Sequence, residues 1–173
     1  VSLVGGKMIL CTECYIQRCK PLDGQREDGQ YGQTLMMYRN KKADDINQGK
    51  WVGIGGKFES GESPEQCLMR EVQEETGLEL TDYRLRGLVT FTTVDGSADP
   101  MLIFVYTADG FTGELAPCDE GTLQWVDNDK IDDLNLWQGD RLFWKWMQTD
   151  ERLFSARFTY NEETLADYQV AFY

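Results

Sequence analysis

GKFESGESPEQCLMREVQEETGL, residues Gly56–Leu78, is the stretch on which the reading of this chain turns. Its second half predicts a helix over Pro64–Thr76. Ser63 can cap it, Pro64 suits the first helical position, Glu65 and Gln66 load the first turn, and Gly77 ends it. Leu68 and Val72 lie one turn apart and mark the inward face. Glu71, Glu74 and Glu75 fall at i, i+3 and i+4, so three carboxylates share one helical face. At about 6 Å and an effective dielectric of about 20, each pair repels by roughly 2–3 kcal/mol before solvent screening. A hard divalent cation turns that repulsion into a binding site, because it prefers carboxylate oxygens and keeps waters that a phosphate can displace. Taken alone, E-x-x-E-E reads as a solvated acidic helix face; its surroundings change that reading.

The spacing runs Gly56, five residues, Glu62, seven residues, Arg70-Glu71, Val72, Gln73, Glu74-Glu75, Thr76, Gly77, Leu78. This resembles the Nudix box, G-x5-E-x7-R-E-U-x-E-E-x-G-U with U apolar, and no fixed position is broken. The resemblance implies a loop–helix–loop holding Mg2+ or Mn2+ against the diphosphate of a nucleoside-diphosphate-linked substrate. By it, Glu71, Glu74 and Glu75 are metal ligands and Arg70 fixes carboxylate orientation through Glu62. Gly55 and Gly56 let the backbone approach closely, beside Lys57 in the substrate-binding segment, and Gly77 is structural. The implied chemistry is metal-assisted hydrolysis, with a nearby carboxylate accepting the proton of the attacking water.

Composition narrows the partners. The chain of 173 residues, 41% hydrophobic and with 21 aromatic residues, suits a single domain over 1–173 with its own core. A formal net charge of −13 argues against nucleic-acid or anionic-membrane partners, since no basic stripe is available to replace counterions. A polyphosphate would also be repelled unless metal ions arrive with it. No apolar run approaches the roughly 20 residues of a membrane span and no signal peptide is visible. Cys11, Cys14, Cys19, Cys67 and Cys118 are odd in number and irregularly spaced, which suggests reduced thiols and a cytoplasmic location. With no histidine and no second C-x-x-C, Cys11-Thr-Glu-Cys14 reads as buried small hydrophobes inside a strand.

Along the chain, Met8–Ile16 reads as a central strand, apolar on both faces. Lys20–Gln33 reads as a long exposed loop without an assigned role, and Thr34–Arg39 as the second strand of a hairpin. A loop over Asn40–Lys50 leads into Trp51-Val-Gly-Ile-Gly-Gly-Lys57. Tyr83–Val94 and Met101–Ala108 read as paired strands about the turn Asp95–Pro100, and Thr122–Val126 as a short strand. Gly139–Thr149 predicts a second helix with Leu142, Phe143 and Trp146 inward. Leu153–Tyr160 and Asp167–Phe172 return to strand around Asn161–Thr164. The order indicates an α+β class, a mixed β-sheet in an α/β/α sandwich, in agreement with the Nudix fold.

Three features outside the box resemble the branch of the family that hydrolyses oxidised purine nucleoside triphosphates such as 8-oxo-dGTP. They are Trp51-x-Gly-x-Gly-Gly-Lys57, Glu120-Gly-Thr-Leu-Gln-Trp125-Val, and Leu136-Trp137-Gln-Gly-Asp140 with Phe143-Trp144 and the ending Phe154–Tyr160. By that resemblance Glu120 is a further metal ligand or proton acceptor, against an ordinary surface glutamate. Trp137 stacks on the purine, against a place in the core. Asp140 accepts from the base edge, against capping the second helix. Arg39 reaches the phosphates, against a surface charge at a strand end. Two positions depart from the animal members: Val52 stands where they carry a purine-contacting Asn, and Gly139 where they carry one of two base-reading aspartates. ADP-ribose, dinucleoside polyphosphates and general (d)NTPs remain alternative substrates. A non-catalytic nucleotide-sensing module is the alternative from another class. The sequence carries no signal for oligomeric state.

Overall fold

The computed structural model describes residues 7–19 and 32–173. Its strands are β1 (Ile9–Arg18), β2 (Gln33–Tyr38), β3 (Trp51–Val52), β4 (Glu79–Thr93), β5 (Met101–Thr112), β6 (Thr122–Asp127), β7 (Phe154–Asn161) and β8 (Thr164–Phe172). Two helices, α1 (Pro64–Thr76) and α2 (Gln138–Thr149), complete the frame with a 3-10 turn at Asn128–Asp133. The strands form one mixed sheet in the order β3-β2-β1-β5-β4-β7-β8, with β6 along β2. The hairpins β1–β2, β4–β5 and β7–β8 are antiparallel; the pairings β1–β5 and β4–β7, which join them, are parallel.

Strand alternation splits the core between two faces. Cys14 and Ile16 of β1, with Leu35 and Met37 of β2, pack beneath Leu68 and Val72 of α1. Tyr15 and Met36, the residues between them, join Phe143, Trp144 and Met147 of α2 on the opposite face. A helix on each side of a mixed sheet is the expected α/β/α sandwich. It also explains why β1, between β2 and β5, is apolar at both parities. Cys11 and Cys14 are three residues apart on that strand and so point to opposite faces. Both thiols are free and buried, and burial pushes Cys11 up to about 11.

One irregularity creates the site. β6 pairs with the whole of β2. On its other edge, β2 meets β1 only at Gln33–Leu35 and β3 only at Met37–Tyr38. The chain leaving β3 then crosses to β1, through bridges Cys14↔Ile54 and Cys11↔Lys57. The glycine-rich segment is therefore wedged where β1 and β2 part, directly under α1.

Several boundaries differ from the sequence reading. β4 starts at Glu79, close behind the end of α1, because register shifts between Leu80 and Asp82, Asp82 and Tyr83, and Leu85 and Gly87 break the alternation that would reveal a strand. β5 runs on to Thr112 and β8 begins at Thr164, after a tight turn with Glu162 at φ 53°. The inward face of α2 is Phe143, Trp144 and Met147, whereas Leu142 and Trp146 are only partly buried beside it. Residues 20–31 of the expected loop lie outside the described residues.

Candidate active site

Helix α1 is positioned by both its ends. Ser63 and Gln66 form a reciprocal capping box, Pro64 opens the helix, and Gly77 closes it at φ 75° with its N–H donated to the Gln73 carbonyl. A Cβ on Gly77 would meet Ala116 Cβ and Glu114 O, each at 3.0 Å. Leu68 and Val72 face the sheet, so the acidic face is turned along the glycine segment.

Arg70 organises that face. Its Nε and Nη2 donate to the two oxygens of Glu62 at 2.7 and 2.9 Å, a bidentate fork. Nη1 reaches Glu71 Oε1 at 2.7 Å and Glu74 Oε2 at 3.4 Å, and Nη2 reaches the Lys57 carbonyl at 3.0 Å. Lys57 thus contributes its backbone here; its side chain is exposed. Glu62 is held down at about 2, first by Arg70 and then by the Glu59 N–H.

Glu71 and Glu75 are driven the other way. Glu75 is 7% exposed, and burial pushes its carboxyl up to about 8 despite the Gly55 N–H, with Glu120 and Glu71 adding to the rise. That N–H donates to Glu75 Oε2 at 3.0 Å. Burial also raises Glu71, against the pull of Arg70, and Glu74 and Glu120 push it further. The glycines make the approach possible. A Cβ on Gly56 would lie 2.5 Å from the Glu71 carboxylate, and one on Gly55 would lie 2.2 Å from Thr12 O.

Glu120 comes from the loop before β6. Arg39 Nη1 donates to it at 2.5 Å and Lys42 Nζ donates to its other oxygen. Burial raises the Glu120 carboxyl, but these two cations outweigh it and leave the group below the usual carboxylate range. Arg39 is not a surface charge: it is clasped between Asp45 at 2.5 Å and Glu120, with Glu75 Oε1 at 3.9 Å. Among the described residues no three acidic, thiol or imidazole groups converge into a closed coordination shell. Glu71 is turned to Arg70, Glu120 to Arg39 and Lys42, and Glu74 is 63% exposed. The donor set is all carboxylate oxygen, which suits a hard cation, and the hollow beside Glu71 is one a single methyl on Gly56 would fill.

Trp137 and Asp140 lie at the start of α2. Trp137 precedes α2 as its N-cap residue, half-buried, with its indole N–H donated to Asn47 Oδ1 at 2.8 Å. Lys50 Nζ sits 4.7 Å from its ring centroid and Tyr160 meets it edge-on. Asp140 is within the first turn and does not cap the helix; it is 4% exposed and accepts no hydrogen bond from the described residues. Burial and then Glu13 hold its carboxyl well above the usual range, with Lys50 opposing. Gly139 is glycine for steric reasons: its N–H donates to Tyr160 Oη at 2.8 Å, and a Cβ there would lie 2.9 Å from Phe158 and from that oxygen.

Sequence reasoning passed over Glu13, Lys42, Asp45, Asn47 and Lys50. Only Glu13 carried a signal, as the one charge inside the apolar run Met8–Ile16. The others sit in a polar loop with no periodicity, and only the fold brings them to the site.

The chain is similar to proteins of known family. The NUDIX domain family model matches residues 25–147. An uncharacterised Nudix hydrolase YvcI of Bacillus subtilis is 37% identical over 119 residues, 67% of this chain and 75% of that one. Proteins named oxidized purine nucleoside triphosphate hydrolase are 38% identical in Danio rerio, over 60% of this chain and 66% of the relative. The corresponding protein of Mus musculus is 30% identical, over 70% and 78%. Among solved structures, the MutT protein from Bacillus halodurans superposes with a TM-score of 0.78 at 25% identity, over 94% of this chain and 97% of the other.

Proposed function

This chain belongs to the Nudix hydrolase family, and from that premise we propose that it is a metal-dependent nucleoside triphosphate pyrophosphohydrolase that prefers oxidised purine nucleotides such as 8-oxo-dGTP. Its products are the nucleoside monophosphate and pyrophosphate. The observation that carries the reading is Glu75, buried against the Gly55 N–H beside Glu71, with Glu120 across the cleft. A carboxylate so placed has a use for a cation and none for the core.

Nudix hydrolases generally use divalent metal ions. Here Glu71, Glu74 and Glu75 would hold Mg2+ or Mn2+, with Glu120 as a further ligand or as acceptor of the water's proton. When bound, the metal activates that water and neutralises charge on the phosphate oxygens. The remaining work falls to the chain. Arg70, locked by Glu62, stops Glu71 from swinging away. Gly56 leaves the hollow beside Glu71 free of a side chain, and Gly55 lets the segment lie against the Thr12 carbonyl. Arg39 and Lys42 keep Glu120 ionised and supply positive charge at the mouth of an otherwise acidic cleft.

The purine preference draws on Trp137 and Asp140, one an aromatic wall and the other a buried acid that accepts no hydrogen bond from the described residues, and on the names of the animal relatives. Aromatic–base stacking is worth roughly 1–3 kcal/mol. The test is a substrate panel of 8-oxo-dGTP, dGTP, ADP-ribose and a diadenosine polyphosphate, with Mg2+ and Mn2+ titrated. The expected outcome is metal-dependent pyrophosphate release with the highest kcat/KM for 8-oxo-dGTP. A higher value for ADP-ribose or a dinucleotide would reassign the substrate; no turnover of any member would remove the catalytic reading.

A further inference from the structure

Glu13 has no part in the metal cleft, and neither the box nor any relative's name assigns it a role. Its position is nonetheless built. The Tyr15 hydroxyl and the Gly53 N–H both donate to Glu13 Oε1 at 2.9 Å. A Cβ on Gly53 would meet Glu13 Cγ at 2.8 Å and Oε1 at 3.0 Å, so glycine there lets the carboxylate reach the backbone. Oε2 receives no hydrogen bond from the described residues.

Asp140 faces this group from the helix. Phe143 and Trp144 follow Asp140 by three and four residues and so share its side of α2. Both pack on the Tyr15 ring, with centroids 5.9 and 5.5 Å away. Glu13 stands two residues before Tyr15 on the same face of β1, and Asp140 one turn before Trp144. The aromatic contact therefore brings the two carboxyls near each other: Glu13 raises the Asp140 carboxyl, and Lys50 opposes. A buried acid that accepts no hydrogen bond from the described residues calls for a ligand that supplies one.

We propose that Glu13 is a specificity-determining residue, whose free oxygen accepts the 2-amino group of a guanine-type base while Asp140 reads the adjoining ring N–H. The inference rests on the purine nucleotide reading above. Guanine-type bases place an amino group beside a ring N–H. Adenine- and hypoxanthine-type bases carry only C–H at that carbon and would leave Glu13 unpaired. A site built to bond a substrate N–H rejects the analogue that lacks it strongly.

The test is calorimetric and metal-free, comparing 8-oxo-dGMP with 8-oxo-dIMP, which lacks only the 2-amino group. The wild-type chain is expected to bind the first about 10-fold more tightly or better. In Glu13→Gln the amide oxygen can still accept from Tyr15 and Gly53, but an N–H2 then faces the base amine. The preference should fall to about 2-fold or less. Tyr15→Phe, which loosens Glu13 without touching the base, should give an intermediate ratio and decides alone if Glu13→Gln does not fold. No preference in the wild type, no binding of either nucleotide, or an unchanged ratio in the variants overturns the proposal. Hydrolysis of 8-oxo-dGTP with Mg2+ is followed separately. Amine preference without turnover would overturn the catalytic reading and leave Glu13 standing; turnover without amine preference would do the reverse.

Discussion

At the scale of single residues, the cleft is governed by what Arg70 and Gly55 do to their carboxylates. Glu75→Gln keeps the acceptor for the Gly55 N–H while removing the charge. Turnover should drop by about two orders of magnitude or more, with the melting temperature of the metal-free protein not lowered. Steady-state kinetics beside a thermal melt checks this, and wild-type turnover would remove Glu75 from the ligand set. Arg70→Lys keeps a positive charge but cannot reproduce the fork on Glu62 while reaching Glu71 and the Lys57 carbonyl. Losing a group that orients ligands in this way costs about 10- to 100-fold in activity or metal affinity. Glu62 also gives a pH dependence. Its carboxyl falls from 4.5 to about 2 on folding, so its contribution to stability is present above pH 4.5 and is lost as pH falls through about 2. Melting temperatures of wild type and Glu62→Gln should therefore converge over that window. A gap that stays constant would mean the Glu62 charge contributes nothing to folding.

At the scale of elements, α1 was the most legible part of the chain. Its start, stop and acidic face follow from local chemistry, and the helix runs over the expected Pro64–Thr76. Its closing glycine is fixed twice, by φ 75° and by the contact with Ala116 and Glu114, which joins the end of the helix to the strand behind it. Gly77→Ala should destabilise the protein by about 1–2 kcal/mol, read in urea unfolding. A neutral effect would show that the segment around Ala116 yields. The α2 helix was less legible. Its N-cap is Trp137, which makes no side-chain cap bond, and Asp140 is buried instead of capping the helix end. Tertiary burial overrode capping preference there. In β4 the bulges hid four residues of strand, because period-two reasoning fails wherever one extra residue reverses the alternation.

At the scale of the whole molecule, the proposed base site and the acidic cleft share one short segment. Gly53 seats Glu13, and two residues later Gly55 seats Glu75. The loop before that segment ties the two ends of the site together. Arg39, Lys42 and Asp45 meet at the cleft with Glu120, while Asn47 and Lys50 hold Trp137. Trp137→Ala should raise KM more for 8-oxo-dGTP than for a pyrimidine triphosphate, by about 10-fold if stacking carries 1–3 kcal/mol. An equal rise for both would make Trp137 a packing residue.

The chain's own order of residues determined the helix, its three-carboxylate face and the family, because capping, helical spacing and motif register are local properties that need no neighbour from elsewhere in the fold. The Glu62–Arg70 pairing was expected from the family motif, and the structure has it as a fork. Folding alone decided that Arg39 is clasped between two acids, that Gly139 must lack a side chain against Phe158 and Tyr160, and that Glu13 lies near enough to Asp140 to raise its carboxyl. Those contacts join positions as far apart as β1 and α2, and their existence depends on where the sheet parts and how α2 lies across Tyr15. No pattern along the chain encodes that distance.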